Sequence, residues 1–152
     1  REPRDNTRSL LDSLVLPVNR SDLGPEDVEH LSSSRSLLDS DAWGISAETY
    51  IELLARRWVL AVQNLSRLQE ITSAVQVVKY EHFNQDKMAT ISETASSLDI
   101  PERNDISSKL DVAFQPRGSH RDVDWKSFFG PHNLQTINRI CSEQMSNLNY
   151  QT

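Results

Sequence analysis

Val75-Gln76-Val77-Val78-Lys79-Tyr80 is the stretch that decides the fold class. It carries three valines, and β-branched side chains favour the pleated surface of a sheet. A short apolar run of this kind reads as a buried strand. Before it, Tyr50, Leu53, Leu54, Trp58, Ala61, Leu65, Leu68 and Ile71 recur at intervals of three and four. That period predicts an amphipathic helix over 49–71, packed on a sheet, with Trp58 in the core. Glu48 and Glu52 suit its first turn, where the helix dipole favours negative charge. After the run, 86–98 reads as a second helix, with Met88, Ile91, Ala95 and Leu98 facing inward and Pro101 beyond its end. Helix, strand, helix is the order of an α/β fold with a parallel sheet. In such a sheet ligands bind at the carboxyl ends of the strands, which here means Tyr80 and the residues after it.

The first nine residues, Arg1-Glu2-Pro3-Arg4-Asp5-Asn6-Thr7-Arg8-Ser9, hold three arginines in an acidic chain. The planar guanidinium grips phosphate in a bidentate manner. An apolar run, Leu10 to Leu16, then predicts a short helix with Pro3 in its first turn and Pro17 at its end. Ser9 on that helix is placed to reach the same anion as Arg1, while Arg4 and Arg8 read as surface or helix-face residues. Residues 17–48 are polar and weakly patterned, either a substrate-side lid or a mobile insertion. Residues 102–124 read as a charged loop, in which Arg117-Gly118 is a second anion-friendly spot, a cation beside a residue that lets backbone approach closely. Trp125 to Phe129 is an aromatic anchor. Gly130-Pro131 starts a last helix with Leu134, Ile137, Cys141, Met145 and Leu148 as its apolar stripe.

The 152 residues suffice for one domain, and the formal net charge of -6 argues against a general nucleic-acid binder. A single cysteine, Cys141, rules out an intrachain disulfide and a cysteine-based zinc site, and tilts the expected compartment to the cytoplasm, with the Golgi lumen open. No apolar run approaches the roughly 18–20 residues that span a membrane. With four glycines and neither GxGxxG nor GxxxxGK, the chain holds no Gly-rich phosphate loop. It opens on Arg1 inside a charged motif, so it is expected to be the C-terminal part of a longer protein.

Taken in order, these landmarks resemble the C-terminal half of a sulfotransferase that uses 3'-phosphoadenosine 5'-phosphosulfate (PAPS). Arg1-Glu2-Pro3-Arg4 with Ser9 resembles that family's 3'-phosphate-binding segment, R-[DE]-P-R-x4-S. Arg56-Arg57-Trp58 sits in a helix similar to the one before the family's next strand. Val77 to Phe83 resembles the strand and turn V-x-Y-E-D-L, with His82 in place of Asp. Trp125 through Cys141 to Leu148-Asn149-Tyr150 resembles the W…I…C…LGY close, with Asn149 in place of Gly. Arg117-Gly118 is a weaker likeness to the basic R-x-G loop.

The resemblance implies a P-loop-NTPase-like parallel-sheet fold. Residues 1–152 would form the C-terminal part of one domain, with 17–48 its variable loop and the N-terminal half supplied in cis or by a second chain. It implies sulfuryl transfer from PAPS, with adenosine 3',5'-bisphosphate as product, to a hydroxyl or amine acceptor on a small molecule, carbohydrate or protein. The cofactor-binding set is Arg1, Ser9, Tyr80, Arg117 and Gly118. No metal is required. The loop for the 5'-phosphosulfate and the general base lie upstream in the family, so none of His30, His82, His120 and His132 is assigned a catalytic role, and the chain alone is expected to be inactive. The competing class is a non-catalytic α/β interaction module or a degenerate sulfotransferase relative. A third is an unrelated nucleotide-dependent transferase with a Walker loop upstream.

Overall fold

The computed structural model describes residues 1–31, 35–101, 103–110, 112, 120 and 122–151. Its helices are α1 (Pro3–Leu14), α2 (Pro25–His30), α3 (Ser40–Trp43), α4 (Tyr50–Ile71), α5 (Tyr80–Gln85), α6 (Lys87–Ser97) and α7 (Trp125–Asn147), with 3-10 turns at Arg35–Leu38 and Ser107–Lys109. The chain divides into two units. One comprises Arg1 and 65–116, the other 2–64 and 117–152.

The α/β parallel-sheet expectation is overturned, because among the described residues there is no strand and no sheet. A strand satisfies its backbone N–H and C=O groups only through a neighbour. Among the described residues no second run pairs with 75–79, which has no regular structure. Its valines are not buried: Val77 is 38% exposed and Val78 42%. Tyr80 is the first residue of α5 and exposed, rather than the end of a strand.

In the larger unit each helix has a local cause. Glu2 caps α1, its carboxylate accepting the Asp5 N–H at 2.8 Å, and Pro3 pre-sets the first turn. The helix ends at Val15, in the left-handed region at φ 55, with Leu16 N–H bonded back to Leu11 O at 3.0 Å. That cap, not Pro17, stops it, and Val15 stands in solvent. Thr49 Oγ1 accepts the Glu52 N–H at 3.1 Å at the start of α4. Asp124 caps α7 through the Ser127 N–H at 3.0 Å. Within α7, Gly130 has φ 73 and ψ 162, so the helix breaks there and restarts on Pro131. A left-handed φ favours glycine, and Pro131 loses nothing in the first turn of the segment that follows.

The core of this unit is helix on helix. Leu11 of α1, Ile51, Leu54, Ala55 and Trp58 of α4, and Phe128, Phe129, Ile137, Cys141 and Met145 of α7 are buried together. Phe128 and Phe129 meet edge to face, with centroids 4.8 Å apart. Cys141 Sγ lies 3.7 Å from Ala55 O, fixing α7 on α4, so α4 packs on helices where a sheet was expected. Burial pushes the Cys141 thiol up to about 12. The thiolate is the nucleophile that attacks a maleimide, so Cys141 is expected to resist the reagent at pH 7 in the folded chain and to react fully in urea. Rapid labelling without denaturant, read by mass spectrometry, would contradict its burial.

The smaller unit holds the last two turns of α4, α5, α6 and the second 3-10 turn. None of its described side chains is fully buried. The apolar period of α4 continues here, but Leu68 and Ile71 are exposed. Asp86 caps α6 through the Ala89 N–H at 2.9 Å. Met88 and Leu98, expected to face a core, are exposed as well. Val78, Phe83, Ile91 and Leu98 line an open groove of about 350 Å³.

Candidate functional site

The arginine-rich segment separates into residues held by the fold and residues presented to solvent. Arg4 is not a surface residue, as its sequence context suggested. It is buried, ion-paired to Glu2, bonded through Nη2 to Gln151 O at 2.6 Å, and stacked over the Trp125 ring at 4.0 Å. Burial pushes the Glu2 carboxyl above its ordinary value of 4.5, while the Asp5 N–H and Arg4 pull it back. Asp5 takes the Arg8 guanidinium at 2.5 Å and the Trp125 indole N–H at 2.9 Å. Arg8 reaches Val123 O at 2.6 Å. Arg4 and Arg8 therefore tie α1 to the segment around Trp125, and an anion would have to break those bonds to claim them.

Ser9 lies two turns into α1 and is exposed. Arg1, in the smaller unit, is exposed, with its guanidinium over the Tyr80 ring at 4.6 Å. Each carries a group of the kind that donates to phosphate. Tyr80 thus meets Arg1, an association sequence reasoning did not draw. Arg117 and Gly118 lie outside the described residues. Among the described residues there is no cluster of His, Cys, Asp and Glu that could hold a metal ion, and no helix long and apolar enough to cross a membrane.

Two further arrangements were not foreseen. His120 pairs through Nδ1 with Asp12 Oδ1 at 2.6 Å and stands beside Phe128, its ring centroid 5.4 Å away. His82 and His132 are exposed on helices. Several described residues of the polar 17–48 connection are bonded to α4 and α7. Tyr50 OH donates to Pro17 O at 2.6 Å, and Asn133 Nδ2 to Arg20 O at 3.0 Å. Arg57 donates to Leu37 O at 2.6 Å and lies over the Trp43 ring at 4.2 Å. Burial pushes the Tyr50 hydroxyl up to about 12 and lowers the Arg57 guanidinium. The amphipathic signal that placed Trp58 inside gives no hint of these bonds, which join residues far apart in sequence. Comparison with models of protein families, with curated proteins and with solved structures finds no match to this chain.

Proposed function

We propose that this chain holds the 3'-phosphate of a PAPS-type nucleotide, through Arg1 and Ser9, for sulfuryl transfer to a hydroxyl or amine acceptor. What supports this reading is the pattern of exposure within 1–9. Glu2 and Arg4 are buried and spent on each other, and Arg8 is spent on Asp5 and Val123. Arg1 and Ser9, the two residues that the sulfotransferase resemblance assigns to phosphate, are exposed. The proposal rests on this binding segment and on no sheet. A guanidinium and a hydroxyl donating to one phosphate spread its charge without a metal. Transfer itself moves the sulfuryl group from the phosphate oxygen of the nucleotide to the acceptor oxygen or nitrogen, which loses its proton; no residue of this chain is assigned to receive it.

Titration calorimetry tests the reading with adenosine 3',5'-bisphosphate against adenosine 5'-monophosphate, which lacks the 3'-phosphate. The bisphosphate should bind more tightly. Arg1→Ala and Ser9→Ala should each weaken it by about 1.5–3 kcal/mol, the range for a hydrogen bond to a charged group. Equal affinity for the two nucleotides, or two variants indistinguishable from the parent, would remove the assignment.

A further inference from the structure

The larger unit contains a cavity of about 500 Å³ between α2, the Asp39 cap of α3 and the first turn of α4. This lies within the range of about 300–1,000 Å³ typical of small-molecule sites. Part of its lining is apolar: Leu31 and Leu53 are buried, with Leu23, Val28 and Leu38 half-buried beside them. Its rim is acidic. Asp22, Asp39 and Glu48 are exposed there, and among the described lining residues there is no lysine, arginine or histidine.

Two of the three rim carboxylates, Asp22 and Asp39, are held by backbone N–H groups. Asp22 Oδ1 accepts the Leu23 N–H at 2.8 Å. Asp39 Oδ1 accepts the N–H groups of Asp41 and Ala42 at 3.0 and 3.2 Å. A carboxylate has about four lone-pair positions, so these bonds leave accepting capacity on each. Three neighbouring arginines whose side chains are described, Arg20, Arg56 and Arg57, have other partners. Arg20 pairs with Asp27 at 3.4 Å, Arg56 with Glu52 at 2.8 Å, and Arg57 is bonded to Leu37 O.

We infer that this cavity binds an amphipathic organic cation, a primary amine carried on an apolar body. The apolar part of the lining takes the body and the carboxylates take the ammonium. An anion is repelled by the same rim, and a neutral alcohol gains only the apolar part. The inference stands apart from the nucleotide reading, since it uses neither Arg1 nor Ser9.

The experiment is an NMR titration of the full chain with phenethylamine, phenethyl alcohol and ethylamine, repeated on the double variant Asp22→Asn, Glu48→Gln. Both substitutions are on exposed side chains, and alcohol binding reports whether the cavity is intact in the variant. Phenethylamine should shift resonances of Val28, Leu31 and Leu53 and bind more tightly than either probe lacking one half of its chemistry. The double variant should weaken it about tenfold, the sum expected of two exposed ion pairs. Added salt should weaken the amine and leave the alcohol unchanged. Alcohol binding as tight as the amine, ethylamine binding as tight as phenethylamine, unchanged amine affinity in the double variant, or shifts confined to residues outside the cavity would each overturn the inference.

Discussion

Arg4→Met is expected to destabilise the larger unit by about 3–5 kcal/mol, the cost of leaving one member of a buried ion pair alone. Methionine fills much of the same volume over Trp125, so the loss reports charge and hydrogen bonding more than packing. Three attachments disappear together: the Glu2 carboxylate, the Gln151 carbonyl and the Trp125 ring face. Glu2 then stays buried without the guanidinium that pairs with it. The pH dependence has a definite sign. Burial already raises the Glu2 carboxyl above 4.5 in the folded chain, so its contribution is fully favourable below that value and is lost as the pH rises through the folded value. Removing Arg4 removes two of the influences that hold it down. The deficit of Arg4→Met should therefore be greatest near neutral pH and shrink as the pH falls toward 4.5. Urea unfolding at pH 7 and pH 5 reads both effects, and Glu2→Gln added to Arg4→Met should recover part of the loss at pH 7. A deficit below about 1 kcal/mol at pH 7 would mean the pair is screened like a surface bridge.

Phe129→Ala is expected to cost about 3–5 kcal/mol, the usual range for emptying a buried aromatic site. Phe129 is 1% exposed and closes the core where α7 breaks at Gly130. Its edge-to-face partner Phe128 would lose a neighbour as well. The contrast is Ile71→Ala. Ile71 belongs to the same kind of helical stripe by sequence but is 79% exposed, so its truncation should stay within about 0.5 kcal/mol. Equal losses at the two positions, measured as shifts in the urea midpoint at constant slope, would contradict this placement of the core.

The two long helices were readable because their apolar residues repeat over many turns. Trp58, Ile137, Cys141 and Met145 are where that repeat puts them. The repeat says which face is apolar but not how far along the helix a neighbour covers it, so Leu68 and Ile71 were misjudged. The valines at 75–78 failed for a different reason. A run of six has no period to measure, and a strand is a property of two segments, whereas composition describes one. Arg4 was placed at the surface because charge is normally solvated, and the carboxylate that lets it enter the core is two residues away. The anchors of 17–48, Tyr50, Asn133 and Arg57, make polar contacts across long stretches of chain, and no local pattern encodes them. The candidate phosphate residues Arg1 and Ser9 came from a motif alone, and their exposure is what the fold adds.

The bond from Arg4 to Gln151 spans 147 positions. Most all-helical proteins assemble from neighbours in sequence and fold quickly for that reason. Here α1 and α7 share one core although nearly the whole chain lies between them, so closing that loop must precede the contacts that reward it. The entropic cost grows only slowly, by about 0.6 kcal/mol for each doubling of loop length, but it falls on the barrier as well as on the final state. During synthesis α1 would leave the ribosome long before its partner exists, with Leu11 uncovered until α7 is made. The topology thus predicts slower folding than in a bundle of sequential neighbours, with α1 waiting for α7.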